Sequence, residues 1–204
     1  SAVWADFNND GWLDLFVGAF DASIGDIAAD YLGEDHDGIS PRLYRNDGGE
    51  FTDIAREAGL DHPYLPMGAN FGDLDNDGFP DIYLGTGAPV FEALGPNIMY
   101  RNNGGESFVD GTFSGGFGHL QKGHGIAFGD LDRDGDQDIF VSNYWTARNN
   151  MWLNDGSGTF SDSGQSMGDH SSYGLALGDV DGDGDLDAVV ANYEQGNRVW
   201  LNDG

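Results

Sequence analysis

The 204-residue chain has no cysteine, which excludes disulfides, zinc thiolate sites and cysteine nucleophiles. Positive charge is scarce: 8 Lys and Arg stand against 36 Asp and Glu, a formal net charge of −28. Nucleic acids and anionic membrane surfaces both recruit Lys and Arg clusters, so neither is an expected partner. No run of 18 apolar residues occurs, so no membrane insertion is expected. There is no basic-then-apolar leader, and opening on Ser1 is expected of a processed or trimmed chain. Leu, Ile, Val and Phe make up about 23% of the chain, barely above the level at which a highly charged sequence stays disordered. Glu is scarce too, 6 against 30 Asp, although helical surfaces favour Glu. The acid therefore serves something that needs the shorter side chain.

What is present is repetition. Four segments align without gaps: Asp6-Phe-Asn-Asn-Asp-Gly-Trp-Leu-Asp14, Asp73-Leu-Asp-Asn-Asp-Gly-Phe-Pro-Asp81, Asp130-Leu-Asp-Arg-Asp-Gly-Asp-Gln-Asp138 and Asp179-Val-Asp-Gly-Asp-Gly-Asp-Leu-Asp187. Each reads D-x-[DN]-x-D-G-x-x-D. A second motif follows each: Leu43-Tyr-Arg-Asn-Asp-Gly, Met99-Tyr-Arg-Asn-Asn-Gly, Met151-Trp-Leu-Asn-Asp-Gly and Val199-Trp-Leu-Asn-Asp-Gly204, whose Asn-Gly and Asp-Gly ends signal hairpins. Three of these turns lead into a short strand around Phe51, Phe108 and Phe160.

Small and large residues alternate before each acidic loop, as in Gly125-Ile-Ala-Phe-Gly129, where small side chains let backbones converge. Continuous apolar runs follow, such as Ile82-Tyr-Leu84 and Ile139-Phe-Val141, expected of strands covered on both faces. Four short strands per unit, repeated radially, describe an all-β propeller of four-stranded blades. Approximate blades are 1–60, 61–118, 119–167 and 168–204, the last lacking its outer strand. The loops start 67, 57 and 49 residues apart, so insertions are expected at Gly18–Pro41 and Ala88–Pro96.

In the acidic loop, positions 1, 3 and 5 point oxygens into one concavity, the Gly at 6 permits the turn, position 7 offers its backbone carbonyl and the Asp at 9 closes the shell. Hard oxygen ligands of this number suit Ca²⁺ better than Mg²⁺ or a nitrogen- or sulfur-preferring metal. The expected ligands are Asp6, Asn8, Asp10, Trp12 and Asp14; Asp73, Asp75, Asp77, Phe79 and Asp81; Asp130, Asp132, Asp134, Asp136 and Asp138; and Asp179, Asp181, Asp183, Asp185 and Asp187. About four ions follow, one per loop. Position 12 is Val17, Leu84, Val141 or Val190 rather than Glu, which rules out an EF-hand. Asn8 lowers the charge of the first site, and Asp136 and Asp185 are expected to act through carbonyls with side chains facing solvent. Asp-Gly turns alone would explain a single copy; four copies of closely spaced carboxylates would repel without a cation.

On these residues the chain resembles tandem FG-GAP/VCBS repeats of integrin α-type propellers, with Phe71-Gly72 and Phe128-Gly129 at the family's Phe-Gly. Phe51-Thr-Asp-Ile-Ala-Arg-Glu-Ala-Gly-Leu60 and Gly118-His-Leu-Gln-Lys-Gly-His-Gly125 are similar to the cartilage acidic protein/UnbV group. The resemblance implies Ca²⁺ on the outer connections, an extracellular or cell-envelope setting, protein or glycan ligands rather than catalysis, and closure with seven blades in relatives. Four units here imply a fragment of a longer propeller or an open arc, whose edges invite self-association into an oligomer or filament.

The leading expectation is a calcium-stabilised adhesion or ligand-binding module; a structural subunit of an extracellular assembly, a carbohydrate-binding propeller and an enzyme are the alternatives. No catalytic residue is expected. His119, Lys122 and His124 are the best acid–base candidates but fit turn and packing roles. Gly164-Gln-Ser-Met-Gly168 lacks the strand–turn–helix context of a nucleophile elbow. Tyr144, Trp145, Tyr173 and Tyr193, near strand ends, could stack on a sugar. The 18–41 insertion, with Tyr31, Glu34, Asp35, His36 and Asp37, is a candidate partner-binding loop or extra ion site.

Overall fold

A computed structural model describes residues 1–20, 23–87, 95–116, 123–144 and 148–204. Among them are fifteen strands in four antiparallel sheets. The first holds β1 (Ala2–Ala5), β2 (Asp14–Val17), β3 (Arg42–Asn46) and β4 (Phe51–Asp53). The second holds β5 (Pro66–Gly72), β6 (Asp81–Thr86), β7 (Ile98–Asn102) and β8 (Phe108–Asp110). The third holds β9 (Gly123–Gly129), β10 (Asp138–Asn143), β11 (Asn150–Asn154) and β12 (Phe160–Asp162). The fourth holds three strands, β13 (Ser172–Gly178), β14 (Asp187–Asn192) and β15 (Arg198–Trp200). Each strand pairs with its sequence neighbour, so every sheet is a meander.

The first strands of the sheets pack against one another, β1 on β5, β5 on β9 and β9 on β13, which makes the array radial. Small residues allow that approach. A Cβ on Gly68 would collide with the carbonyl of His124, and one on Gly125 would lie 2.9 Å from the Leu175 backbone nitrogen. The second strands β6 and β10 are buried at every residue, because alternate side chains face the blade on either side. Phe16 and Leu43 meet Ile82, Leu84 and Tyr100 between blades one and two. Tyr83 and Met99 meet Ile139, Val141 and Trp152 between blades two and three, and Phe140 and Met151 meet Ala188 and Val190 between three and four. The cores therefore lie between blades. On the face of the last sheet opposite Ala188 and Val190, the paired Val189 and Val199 are exposed.

One element departs from the all-β expectation. Helix α1 (Ile24–Leu32) lies in the first insertion, started by Ser23, whose hydroxyl accepts from the Asp26 N–H while Asp26 accepts from the Ser23 N–H, and ended by Gly33 at φ 70°. Of the second expected insertion, Ala88–Pro96, residues 88–94 lie outside the described residues.

Candidate metal centre

Each acidic loop joins the first strand of a sheet to the second, and its shape is held by its own carboxylates. Asp73 accepts from the backbone N–H groups of Asp77 and Gly78, both at 3.1 Å, and Asp6 accepts from those of Asp10 and Gly11 at 3.0 and 2.8 Å. At position 5, Asp77, Asp134 and Asp183 each accept from the N–H two residues on, at 2.9, 3.0 and 2.8 Å. The Gly at position 6 is required: Gly11, Gly78, Gly135 and Gly184 have φ of 91, 92, 100 and 95°.

The last Asp of each loop, position 9, is fully buried. Asp81 accepts from Leu74 N–H at 2.9 Å and Asn102 N–H at 2.7 Å. Asp138 does so from Leu131 and Asn154 at 2.7 and 2.9 Å, and Asp187 from Val180 and Asn202, both at 2.8 Å. Asp14 repeats the pattern with Phe7 and Asn46. One carboxylate thus ties the acidic loop to the Asn-containing turn after the third strand.

Carboxylate oxygens of Asp73, Asp75 and Asp81 lie within 4.8 Å of one another, as do those of Asp130, Asp132 and Asp138, and of Asp179, Asp181 and Asp187. Three such groups occur among the described residues, each able to hold a metal ion. Oδ1 of Asp75 and Oδ1 of Asp130 are buried without a hydrogen-bond partner, which suits oxygens that ligate a cation. Burial, aided by the Asp77 charge, raises the Asp75 carboxyl above the usual range. Burial pushes Asp81 up to about 7 and Asp138 to about 6, against the backbone N–H bonds they accept. Asp187 goes the other way, because the N–H bonds it accepts from Asn202 and Val180 outweigh the effect of burial.

The first loop is built differently. Asn8 stands at position 3 and donates from Nδ2 to Asp10 Oδ2 at 2.9 Å, so an amide does locally part of what a cation would do. Position 7 corrects an expectation. Asp136 and Asp185 are not left to solvent alone: Asn76 donates to Oδ1 of the half-buried Asp136 at 2.7 Å, and Asp185, 4% exposed, pairs with Arg133. The donors come from position 4 of the preceding loop, where Asn9, Asn76 and Arg133 hold φ of 57, 57 and 64°, and Asn9 likewise reaches Gly78 O at 2.8 Å. Trp12 and Phe79 occupy the same position in the first two loops, where a backbone carbonyl is the expected ligand.

Sequence reasoning passed over the turn asparagines. Asn102, Asn154 and Asn202 donate from Nδ2 to the backbone carbonyls of Phe7, Leu74 and Leu131 in the preceding loop, at 2.8, 2.9 and 2.9 Å. Their recurrence at one motif position was the available signal.

The acid–base and sugar candidates divide. His119, Lys122 and Trp145 lie outside the described residues. His124 sits on β9 with its ring 4.7 Å from that of Tyr173 and 5.4 Å from that of Tyr144, and burial lowers its pKa. Tyr193 extends this stack, 5.5 Å from Tyr173. Ser166 lies in a segment without helix that runs into β13.

A radial array of antiparallel meanders with an acidic turn at the same place in every blade defines a propeller of acidic-loop repeats. The FG-GAP-like repeat family matches residues 6–84, 90–141 and 133–190, and the chain belongs to that family. Half of the chain is 31% identical, over 102 residues, to cartilage acidic protein 1 of Mus musculus, and half is 37% identical, over 108 residues, to integrin alpha-7 of Mus musculus. The matched stretches span 15% and 8% of those relatives. The whole chain also superposes, at a TM-score of 0.54 and 21% identity, on 49% of an Agrocybe aegerita lectin described as recognising non-reducing terminal N-acetylglucosamine. That likeness concerns the fold.

Proposed function

We propose that the chain is a Ca²⁺-stabilised, non-enzymatic propeller module for adhesion or protein interaction outside the cell or in the cell envelope. Its blades run approximately over 1–60, 61–118, 119–167 and 168–204. The observation that carries the reading is the recurrence of three Asp triads within 4.8 Å, two of which contain a buried, unpartnered carboxylate oxygen. Asp73, Asp75, Asp77 and Asp81, with the Phe79 carbonyl, would hold one ion, and the matching residues of the third and fourth loops one each. The first loop, with Asp6, Asn8, Asp10, Asp14 and the Trp12 carbonyl, would hold a fourth more weakly. Bound Ca²⁺ supplies positive charge that offsets carboxylate repulsion and pins the turn. Folding and metal binding are then coupled, and four ions would bring −28 to about −20.

Equilibrium dialysis against calcium tests it. Three or four ions per chain are expected, with affinities in the range of extracellular modules, about 10⁻⁴–10⁻³ M. Fewer than one per chain at 10⁻² M, roughly tenfold above that range, would reject the reading.

The Tyr144–His124–Tyr173–Tyr193 ring stack favours a second reading, a carbohydrate-binding propeller, since Tyr173 and Tyr193 are exposed beside Glu194. Chemical-shift changes at Tyr173 and Tyr193 on titration with N-acetylglucosamine, absent with glycerol, would support it.

A further inference from the structure

Asp53, Asp110 and Asp162 each end the fourth strand of a blade. Each uses Oδ1 to accept the backbone N–H two residues on, from Ala55, Thr112 and Gly164 at 3.2, 2.8 and 2.9 Å. In two blades the other oxygen, Oδ2, takes an arginine of the same blade. Arg42 binds Asp53 at 2.9 Å and Arg148 binds Asp162 at 2.7 Å. In the second blade Asp110 has no ion pair among the described residues, because Ile98 stands where the first blade has Arg42 and Pro96 where the third has Arg148. Residues 88–94 contain no Lys or Arg to replace them.

In place of the arginine there is space. Two cavities, of about 260 and 250 Å³, share Ile27, Tyr31, Tyr64 and Asp110 as walls. The larger is also lined by the buried Leu65, Thr86 and Ile98 and by Phe113, which like Tyr31 is well exposed, 70% and 74%. The Tyr64 and Tyr100 hydroxyls meet at 2.7 Å close enough to Asp110 to feel its charge. Among the described residues no Lys or Arg lines either cavity; the smaller one is also lined by Asp30 and His62, whose side chains pair with each other at 2.8 Å.

We infer that the cleft between α1 and the second blade receives an arginine side chain from a partner protein, its guanidinium bound to Asp110 Oδ2 and stacked on the tyrosine rings. The sister blades show what this carboxylate position takes. Apolar walls accommodate the three methylenes, and aromatic faces favour a planar, weakly hydrated guanidinium over an ammonium. A chain of net charge −28 draws basic segments toward it. This names a partner chemistry for the interaction role proposed above and needs no metal at the cleft.

The test is an NMR titration, with calcium present, using Nα-acetyl-arginine methylamide and its neutral citrulline and shorter-charged lysine counterparts. The arginine probe is expected to shift the amides of Tyr31, Tyr64 and Asp110. It should bind about tenfold more tightly than citrulline and several-fold more tightly than lysine. Asp110→Asn keeps the acceptor for Thr112 N–H, and should lower arginine affinity about tenfold without changing calcium uptake. Tyr31→Ala removes an exposed ring that the fold does not need, and should weaken binding about threefold. Equal binding of arginine and citrulline, or wild-type affinity in either variant, overturns the inference. Loss of calcium uptake with arginine binding intact would instead reject the metal reading alone.

Discussion

Asn102 donates from Nδ2 to the carbonyl oxygen of Phe7, 2.8 Å away across the boundary between two blades and 95 residues earlier in sequence. Its backbone N–H is meanwhile accepted by Asp81 at 2.7 Å. One asparagine therefore joins its own acidic loop, through Asp81, to the acidic loop of the preceding blade. The third blade repeats the unit with Asn154, Asp138 and Leu74, and the fourth with Asn202, Asp187 and Leu131. The loops that hold the acid are thus also the places where blades are fastened together.

Replacing Asn154 by Ala removes the bonds to Leu74 O and Gln137 O and leaves a buried carbonyl unsatisfied. A loss of about 1–3 kcal/mol is expected. Urea denaturation of Asn154→Ala should show a lower midpoint with an unchanged slope. By contrast Asn103→Ala, an exposed neighbour position in the second blade's turn, should be nearly neutral.

At position 3 the chain contains its own control. Asn8 bonds Asp10 in the first loop, whereas Asp75 faces Asp77 and Asp73 with its carboxyl raised by burial and their charge. Asp75→Asn should make the metal-free protein more stable and reduce its gain on adding calcium. Calorimetric titration of Asn8→Asp should, in the opposite direction, show a tighter first site.

Acidity provides a third check. Burial raises Asp81 to about 7 and Asp138 to about 6 in the folded, metal-free protein, above the unfolded value near 3.8. Between those values the folded state holds protons that the unfolded state has released, so metal-free stability falls as pH rises from about 4 to about 7. Asp187, lowered by its N–H bonds, contributes with the opposite sign, below pH 4. Melting temperatures in EGTA should therefore rise on acidification from pH 8 to 5. Calcium competes with those protons, so the gap between calcium and EGTA curves should narrow over the same range.

The repeating sheets were legible because strands such as Ile82-Tyr-Leu84 are covered on both faces and so read as unbroken apolar runs. The loops were legible because Asp spacing around an obligatory Gly is a local property, visible within nine residues. What escaped depends on partners far away in sequence. The Asp136 and Asp185 side chains look solvent-bound in their own loops, and only the preceding blade supplies Asn76 and Arg133 to hold them. Likewise Asn154 reads as a turn former until Leu74 is placed beside it. Helix α1 was hidden because its N-terminal signal, Ser23 with Asp26, lies in a polar insertion rich in the same residues that make turns.

Thermal unfolding in saturating calcium and in excess EGTA tests the central claim most directly. Three sites, each at calcium a hundredfold above its dissociation constant, would add about 8 kcal/mol of stability, a rise in melting temperature of roughly 15–30 °C for a chain of this size. Superimposable melting curves in the two conditions would contradict the claim that the acidic loops are cation sites holding the blades together.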